Sequence, residues 1–126
     1  MAKRGLSSVQ RTLRACREQG RFVEKLEQWI SYGKSEHGKP AGTRRDAFQF
    51  IDILAIDTDF ITAIQACTQS GKKHKEAIIA NEYALAWCKA GGSIELWIWR
   101  KIKEVRGGKR ERWSAKIEEI KLNDFQ

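Results

Sequence analysis

A single acidic residue interrupts one of the most apolar stretches of the chain. Asp52 lies in the segment FQFIDILAI, residues 48–56, on a face that is otherwise apolar. A carboxylate in an apolar strand must be paired, protonated or bound to a metal ion. Two interpretations follow: a salt bridge to a basic side chain near Arg44 and Arg45, or a ligand for a divalent cation.

The residue opposite Asp52 favours the cation. Residues 48–56 and 60–67 (FITAIQAC) read as two strands, and the turn-forming residues 57–59 between them predict a tight antiparallel hairpin. With a two-residue loop, Asp52 faces Gln65, and opposed Cβ atoms lie about 4.5–5.5 Å apart on one side of a sheet. Together with a strand carbonyl, the two side-chain oxygens form an oxygen-rich site suited to Mg²⁺.

The rest of the chain predicts the elements that must position this hairpin. Hydrophobic periodicity indicates helices at residues 6–19 and 72–90, each followed by glycine. Strands are predicted at residues 93–103 and 112–120. Residues 22–30 suit either a helix or a short edge strand.

The remaining segments are read as connections. Residues 31–45 hold the only proline among glycines and basic residues, and predict a mobile basic loop. Residues 1–5 are expected to form a flexible N-terminus and residues 121–126 a C-terminal tail. The 126 residues then make one α/β domain, residues 1–126, with a mixed central sheet flanked by helices.

Charge indicates a polyanionic partner. Lys and Arg total 24 against 16 acidic residues, which gives a net charge of +8. Neutralised phosphates release counterions, so such a balance favours nucleic acid, although solubility alone also explains it. Two clusters stand out: Arg100, Lys101, Lys103, Arg106, Lys109, Arg110 and Arg112, and Lys72, Lys73, His74 and Lys75. An ordinary solvated surface is the alternative for both.

Other residue types exclude several protein classes. The three cysteines are widely spaced and odd in number, which is typical of buried free thiols in a reducing compartment rather than disulfides or zinc ligands. No apolar run could span a membrane and no signal peptide is visible, so we expect a cytoplasmic protein. Trp97 and Trp99 share one strand face and favour core packing, with base stacking or a dimer contact as alternatives.

The layout of these elements resembles the PD-(D/E)XK nuclease superfamily. An aspartate, a hairpin turn and then two functional positions separated by one residue form its signature, and its core order is αβββαβ. The stretch with Gly5, Gln10-Arg11 and Gly20 also resembles the opening of archaeal Holliday-junction resolvases. The core DxFxFIDILAI…IQ is similar to that of phage and bacterial proteins. The resemblance implies a restriction-endonuclease-like fold, and hence a strand rather than a helix at residues 22–30.

The resemblance also implies roles for individual residues, with departures. Asp52 occupies the position of the first metal-binding aspartate. Gln65 stands where an acidic ligand is usual, Cys67 where the catalytic lysine is expected, and Gln10 where the helix glutamate lies. One carboxylate with neutral amides binds Mg²⁺ weakly, and a thiol cannot stabilise developing phosphorane charge as a lysine does.

Nearby residues are candidates to replace the missing groups. Lys72, Lys73 and Lys75 follow the second hairpin strand, and we expect one of them near the scissile phosphate. Asp46 or Glu76 is a candidate for the second carboxylate. All five residues belong to types that are also common as solvated loop or helix-start residues.

The resulting hypothesis is an enzyme, a Mg²⁺- or Mn²⁺-dependent endonuclease acting on branched or duplex DNA. The alternative is a nuclease fold without catalysis, binding DNA alone, as a homodimer or within a phage or mobile-element complex. A purely structural interaction protein explains less. The basic residues expected to contact DNA are Arg11, Arg14, Arg44, Arg45, Lys72, Lys73, Lys75, Arg106, Lys109 and Arg110.

Overall fold

The computed structural model describes residues 5–34 and 40–125. These ranges form three α-helices, α1 (Ser8–Glu18), α2 (Gly71–Ile79) and α3 (Glu82–Lys89). They also form seven strands, β1 (Phe22–Lys25), β2 (Gln28–Lys34), β3 (Pro40–Arg45), β4 (Ile53–Ile56), β5 (Ile61–Cys67), β6 (Ser93–Lys103) and β7 (Glu111–Ile120). A short 3-10 helix, Leu122–Phe125, follows β7.

Five strands build one mixed sheet in the order β1-β4-β5-β6-β7. β5 and β6 are parallel and the other neighbours are antiparallel. β2 and β3 form a separate antiparallel hairpin that is inserted between β1 and β4. The chain is therefore a single-domain α/β fold. Without the insertion its element order is αβββααββ, which differs from the predicted order in having two helices between β5 and β6.

Helices cover the two faces of the sheet because alternate strand residues point to opposite sides. α1 packs on the face that carries Ile53, Ile64, Trp97 and Trp99. α2 and α3 pack on the other face, against residues such as Ala63, Cys67, Ile94 and Leu96. A strand that is apolar on both faces has to lie inside the sheet, and β6 lies between β5 and β7.

Both β6 tryptophans are buried core residues, as the sequence favours. Trp99 donates its indole N–H to Thr12 Oγ1 at 2.8 Å, and Trp97 donates to Glu95 Oε1 at 2.9 Å. Neither ring is available to stack on a base or to form a dimer contact.

Helix α1 begins and ends where capping chemistry predicts. The Ser7 hydroxyl accepts from the Gln10 amide, and the Gln10 side chain accepts from the Ser7 amide. This reciprocal capping box satisfies two amides at the helix start. Gly20 follows with a φ of +82°, a conformation that favours glycine after a helix end.

The predicted strand at residues 48–56 is too long, because only Ile53–Ile56 pairs as a strand. Phe48 and Gln49 have φ values of +52° and +68°, so residues before Asp52 form a turn. That turn brings the chain back from the inserted hairpin into the sheet. Its apolar residues Phe50 and Ile51 are buried against the α2–α3 face, and this burial imitates a strand pattern.

Residues 22–45 differ more from expectation. The single strand predicted at residues 22–30 is two strands that belong to different sheets, and the basic loop predicted at residues 31–45 is mostly the β2–β3 hairpin. Glycine and proline signals are compatible with this pairing because a bulge lies between Ser31 and Gly33 and Pro40 begins an edge strand. Residues 35–39 lie outside the described ranges.

The second helix is divided in two at Asn81, which is an error of the single helix predicted at residues 72–90. Asn81 has extended backbone angles, and its side chain accepts from the Tyr83 amide while donating to the Phe48 carbonyl. The continuous apolar pattern across residues 79–90 hides this second cap.

The ends of the described chain also add detail. The predicted C-terminal tail contains the 3-10 helix, and Phe125 packs against the core. Of the predicted flexible N-terminus, residues 1–4 lie outside the described ranges. Within residues 5–34 and 40–125, every helix is too short and too polar to cross a membrane.

The three cysteines are free, and Cys16 and Cys67 are buried as predicted. Cys88 is half-buried. Burial raises the thiol pKa at all three positions.

At the end of the sheet opposite Asp52, Arg21 forms hydrogen-bonded ion pairs with Asp57 and Glu95. Arg21 donates to both carboxylate oxygens of Asp57, at 2.8 and 2.9 Å, and to Glu95 at 3.0 Å. Burial opposes ionisation of Asp57, but hydrogen bonds from Arg21 and Thr62 outweigh it and lower the Asp57 pKa. The network ties the end of α1 to the β4–β5 turn and to β6.

Candidate functional site

The β4–β5 hairpin has the register that the turn residues predict. Ile53 pairs with Ile64 and Ile56 with Ile61, and the Asp57 amide donates to the Phe60 carbonyl at 2.9 Å. Asp52 lies one position before β4, at the strand entrance rather than inside it. The paired residues end at Ile53 and Ile64, so the pairing of Asp52 with Gln65 stays a prediction, although both residues line the same cavity.

Asp52 is buried and holds the end of the hairpin together. Its side chain is almost inaccessible, with a residue exposure of 5%. Its Oδ2 accepts from the Ala66 amide at 2.9 Å, and its own amide donates to the Ile64 carbonyl at 3.0 Å. Burial, and then a hydrogen bond with the Asp46 side chain, raise the Asp52 pKa to about 8. The raised pKa favours the protonated carboxyl when no cation is bound.

Three acidic side chains converge at this point. Ligand oxygens of Glu27, Asp46 and Asp52 all lie within 4.8 Å of one another. Glu27 lies between β1 and β2, and Asp46 directly follows β3, so the two residues flank the inserted hairpin. The Asp52 carbonyl accepts from the Leu26 and Glu27 amides at 2.8 and 3.3 Å, which fixes the β1–β2 junction beside the acid.

The cluster opens into a cavity of about 710 Å³ between the start of α1 and the ends of β1 and β5. Its lining includes Lys25 and His74 as well as Gln65. Gln65 Oε1 is buried and has no hydrogen-bond partner among the described residues. Leaving a buried amide oxygen unpaired costs about 1–3 kcal/mol, so this atom points to a missing partner such as a cation or water.

Of the candidates for a second carboxylate, Asp46 belongs to the cluster and Glu76 is exposed on α2. Glu27 was missed by the sequence analysis. It lies in the ambiguous segment 22–30, and only the position of the β2–β3 insertion brings it next to Asp46.

The residues that depart from the superfamily pattern have other structural roles. Gln10 lines the cavity, but its side-chain oxygen is engaged in the capping box with Ser7. Cys67 is buried in the core on the α2–α3 face and does not line the cavity.

The basic run at the start of α2 contributes His74 to the cavity lining, but Lys72, Lys73 and Lys75 are not among the lining residues. Lys72 and Lys73 are exposed. Lys75 Nζ lies 3.9 Å from Oε2 of Glu118 on β7. The lysine that does line the cavity is Lys25, at the end of β1.

The alternative interpretation of Asp52 is a salt bridge to a basic side chain near Arg44 and Arg45. Asp52 bonds to the Ala66 amide and to Asp46. Arg45 lines a second cavity of about 460 Å³, which Asp46 also lines. The Arg44 side chain lies outside what the structure describes.

The basic residues predicted to contact DNA lie in several places. Arg11 stacks on Trp113, and Arg14 forms an exposed pair with Glu18 at 3.6 Å. Arg106, Lys109 and Arg110 are exposed at the tip of the β6–β7 hairpin.

That hairpin extends past the sheet at the same end as the cavity. β5 stops at Cys67, which pairs with Ile98, whereas β6 continues to Lys103. The β6–β7 arm (residues 99–115) therefore projects beside the acidic cluster.

Comparisons of the chain with protein-family models, curated proteins and solved structures give no match. What the site can do therefore has to be argued from its own geometry.

Proposed function

We propose that the chain is a Mg²⁺- or Mn²⁺-dependent DNA endonuclease of restriction-endonuclease-like fold. The observation that carries the proposal is the convergence of Glu27, Asp46 and Asp52 within 4.8 Å at a cavity that is also lined by Gln65, whose buried side-chain oxygen has no partner among the described residues. The cation would be held by these three carboxylates and that amide oxygen.

The donor set fits a hard divalent cation. Mg²⁺ and Mn²⁺ prefer carboxylate and carbonyl oxygens. Three acids at this separation repel one another when ionised, and ionising a buried one costs more, so a doubly charged ion would offset this repulsion. The raised pKa of Asp52, about 8, is a consequence of its burial and of the neighbouring acids.

The other cavity residues supply groups that phosphodiester cleavage needs. A bound divalent cation acts as a Lewis acid and lowers the pKa of bound water. Lys25 brings a positive charge to the cavity rim, where it can bind a phosphate oxygen. His74 brings an imidazole that can accept or donate a proton within the cavity.

The topology supports the same proposal. Apart from the β2–β3 insertion and the division of the second helix, the element order, the antiparallel β4–β5 hairpin and the parallel β5–β6 pair agree with the order that the resemblance implies. The acidic cluster lies at the entrance of β4, next to the start of α1, and Asp52 stands where the resemblance implies the first metal ligand.

One observation favours the alternative, a DNA-binding module without catalysis. Cys67 occupies the expected lysine position and is buried in the core, so the usual positive charge is missing from β5. The proposal of an enzyme therefore depends on Lys25 or His74 taking that role.

Cleavage of supercoiled and four-way-junction DNA with Mg²⁺ or Mn²⁺ tests the proposal. Asp52→Asn keeps an acceptor for the Ala66 amide but removes a charged ligand, and we expect it to lower the cleavage rate at least about a hundredfold. The matched control is Asp59→Asn, which removes the same charge from the exposed turn at the far end of the same hairpin.

The result that contradicts the enzyme is salt-sensitive binding of DNA by the wild type with no cleavage under either cation. That outcome supports the binding module instead. Equal cleavage by Asp52→Asn and Asp59→Asn would remove Asp52 from the mechanism.

A further inference from the structure

Two cations lie close to the ring of one tryptophan on the β6–β7 arm. The Arg11 guanidinium carbon lies 3.7 Å from the Trp113 ring centroid, and Lys101 Nζ lies 5.4 Å from it. Lys101 is the cross-strand partner of Trp113, and Arg11 reaches the ring from α1. Two strands and a helix therefore contribute to one small surface.

The stack on Trp113 leaves the guanidinium able to bind an anion. A stacked guanidinium contacts the ring with its face, while its N–H groups point outward in its own plane. Within residues 5–34 and 40–125, neither Arg11 nor Lys101 has a carboxylate partner. Both positive charges therefore remain available to phosphate.

Trp113 is also exposed more than a packing role requires. Its exposed fraction is 37%, whereas Trp97 and Trp99 on the same sheet face are buried. Aromatic rings beside cations are the usual platform for unpaired bases, since every base offers a face for stacking. Bases inside a continuous duplex are already stacked on their neighbours and offer no such face.

This surface is continuous with the cavity. A Cβ atom on Gly5 would lie 3.7 Å from Arg11 Nη2, and Gly5 itself lines the cavity. Gln10, the residue before Arg11, lines it as well. A strand whose phosphate lies at the acidic cluster can therefore continue along Arg11 to Trp113.

We infer that Trp113, Arg11 and Lys101 form a binding site for an unpaired DNA base and its flanking phosphates. The substrate is then DNA with a single-stranded segment next to a duplex, rather than uniform duplex. The inference deepens the proposed function, on which it rests for DNA as the partner, but it concerns binding rather than cleavage.

The test measures binding in EDTA, so that no cleavage occurs. Two probes are compared, a blunt duplex and the same duplex with a twelve-nucleotide single-stranded tail. Trp113→Leu keeps an apolar side chain but removes the ring, and we expect it to weaken binding of the tailed duplex about tenfold and leave the blunt duplex unchanged. Trp113→Phe keeps a ring and should lose only part of this affinity.

The control variant is Ile117→Ala, on the same strand and the same sheet face, whose exposed fraction of 46% is similar. It should bind both probes as the wild type does. Thermal denaturation of each variant separates loss of binding from loss of folding. Arg11→Ala should reduce the slope of log affinity against log salt by about one for the tailed duplex.

Equal binding of the tailed duplex by Trp113→Leu and Ile117→Ala overturns the inference, and so does an equal loss on both probes. The two proposals fail differently. Ring-dependent binding without any metal-dependent cleavage contradicts the endonuclease alone, whereas cleavage without ring-dependent binding contradicts the stacking site alone.

Discussion

At the scale of single residues, the proposed metal site depends on the environment of Asp52. It is buried, bonded to the Ala66 amide, and shares a hydrogen bond with Asp46. When no cation is bound, a proton on Asp52 reduces the repulsion between these neighbouring acids. A cation can replace that proton, so proton and metal compete for the same oxygens.

This competition predicts that metal affinity depends on pH. Since the Asp52 pKa is about 8, we expect the apparent affinity for Mn²⁺ to rise as pH increases from 6 to 8 and to level off above that value. Binding at pH 7 should release about one proton. Calorimetry in buffers with different ionisation enthalpies measures the proton release, and a pH-independent affinity would contradict the assignment of Asp52.

The raised pKa of Asp52 also predicts that ionisation of this carboxyl destabilises the folded chain. In the folded chain Asp52 titrates near 8, against an ordinary value of 3.8 in the unfolded chain. Between these values the folded state binds one more proton, so the Asp52 contribution to the free energy of unfolding falls as pH rises from about 4 to about 8.

Replacing the ionised Asp52 carboxylate with a neutral amide should therefore stabilise the protein at high pH. Without divalent cations at pH 9, we expect Asp52→Asn to unfold with a free energy at least about 1 kcal/mol higher than the wild type, with the difference shrinking toward pH 4. Urea denaturation at several pH values measures it. Asp59→Asn serves as the control and should not show this trend; a destabilised Asp52→Asn at pH 9 would contradict the prediction.

Part of the site follows from the sequence because it depends on local rules. The two-residue turn is sufficient to predict the pairing of Ile53 with Ile64, next to which Asp52 and Gln65 lie in the sequence. Glu27 could not be found in this way. Its distance from Asp46 depends on how the β2–β3 hairpin closes, which is a property of residues 28–45 as a unit.

At the scale of elements, tertiary packing rather than the hydrophobic pattern of the sequence determines the structure of the connecting segments. Phe50 and Ile51 have a strand-like pattern, yet they pack from a turn because the hairpin insertion has to re-enter the sheet there. β6 and β7 were predictable almost to the residue, because their alternation is long and the paired glycines 107–108 mark the turn.

The Arg21 network is the element-scale interaction with the clearest expected effect. Removing the arginine leaves two largely buried carboxylates, on Asp57 and Glu95, without their partner. Breaking a buried pair in this way costs about 3–5 kcal/mol, so we expect Arg21→Met to lower the free energy of unfolding by that order.

Chemical denaturation measures the Arg21 effect. The control is Arg14→Met, since Arg14 forms an exposed pair with Glu18 on α1 and such pairs contribute about 0–1 kcal/mol. Similar values for the two variants would mean that the network does not hold α1 to the sheet.

At the scale of the whole molecule, one group of positive charges lies at the same end of the sheet as the acidic cluster. The net charge is +8, and the β6–β7 arm that carries Arg106, Lys109 and Arg110 projects from the cavity end of the sheet. Composition alone indicates a polyanionic partner, but only the register of β6 against β5 and β7 shows which end of the molecule carries the charge.

This asymmetry predicts where salt dependence arises. Replacing Arg106, Lys109 and Arg110 with serine should reduce the slope of log affinity against log salt for duplex DNA by about 2–3. The control removes three positive charges from the opposite end, at Arg17, Lys89 and Lys121, and should change the slope much less. Equal changes in the two variants would indicate a response to net charge only.

The most direct measurement is Mn²⁺ binding at pH 8, followed by electron paramagnetic resonance in the wild type, Asp52→Asn and Asp59→Asn. The acidic cluster predicts one ion bound per chain by the wild type and by Asp59→Asn, and binding at least tenfold weaker in Asp52→Asn. Equal binding by all three proteins, or no specific binding by the wild type, would contradict a metal site at Glu27, Asp46 and Asp52.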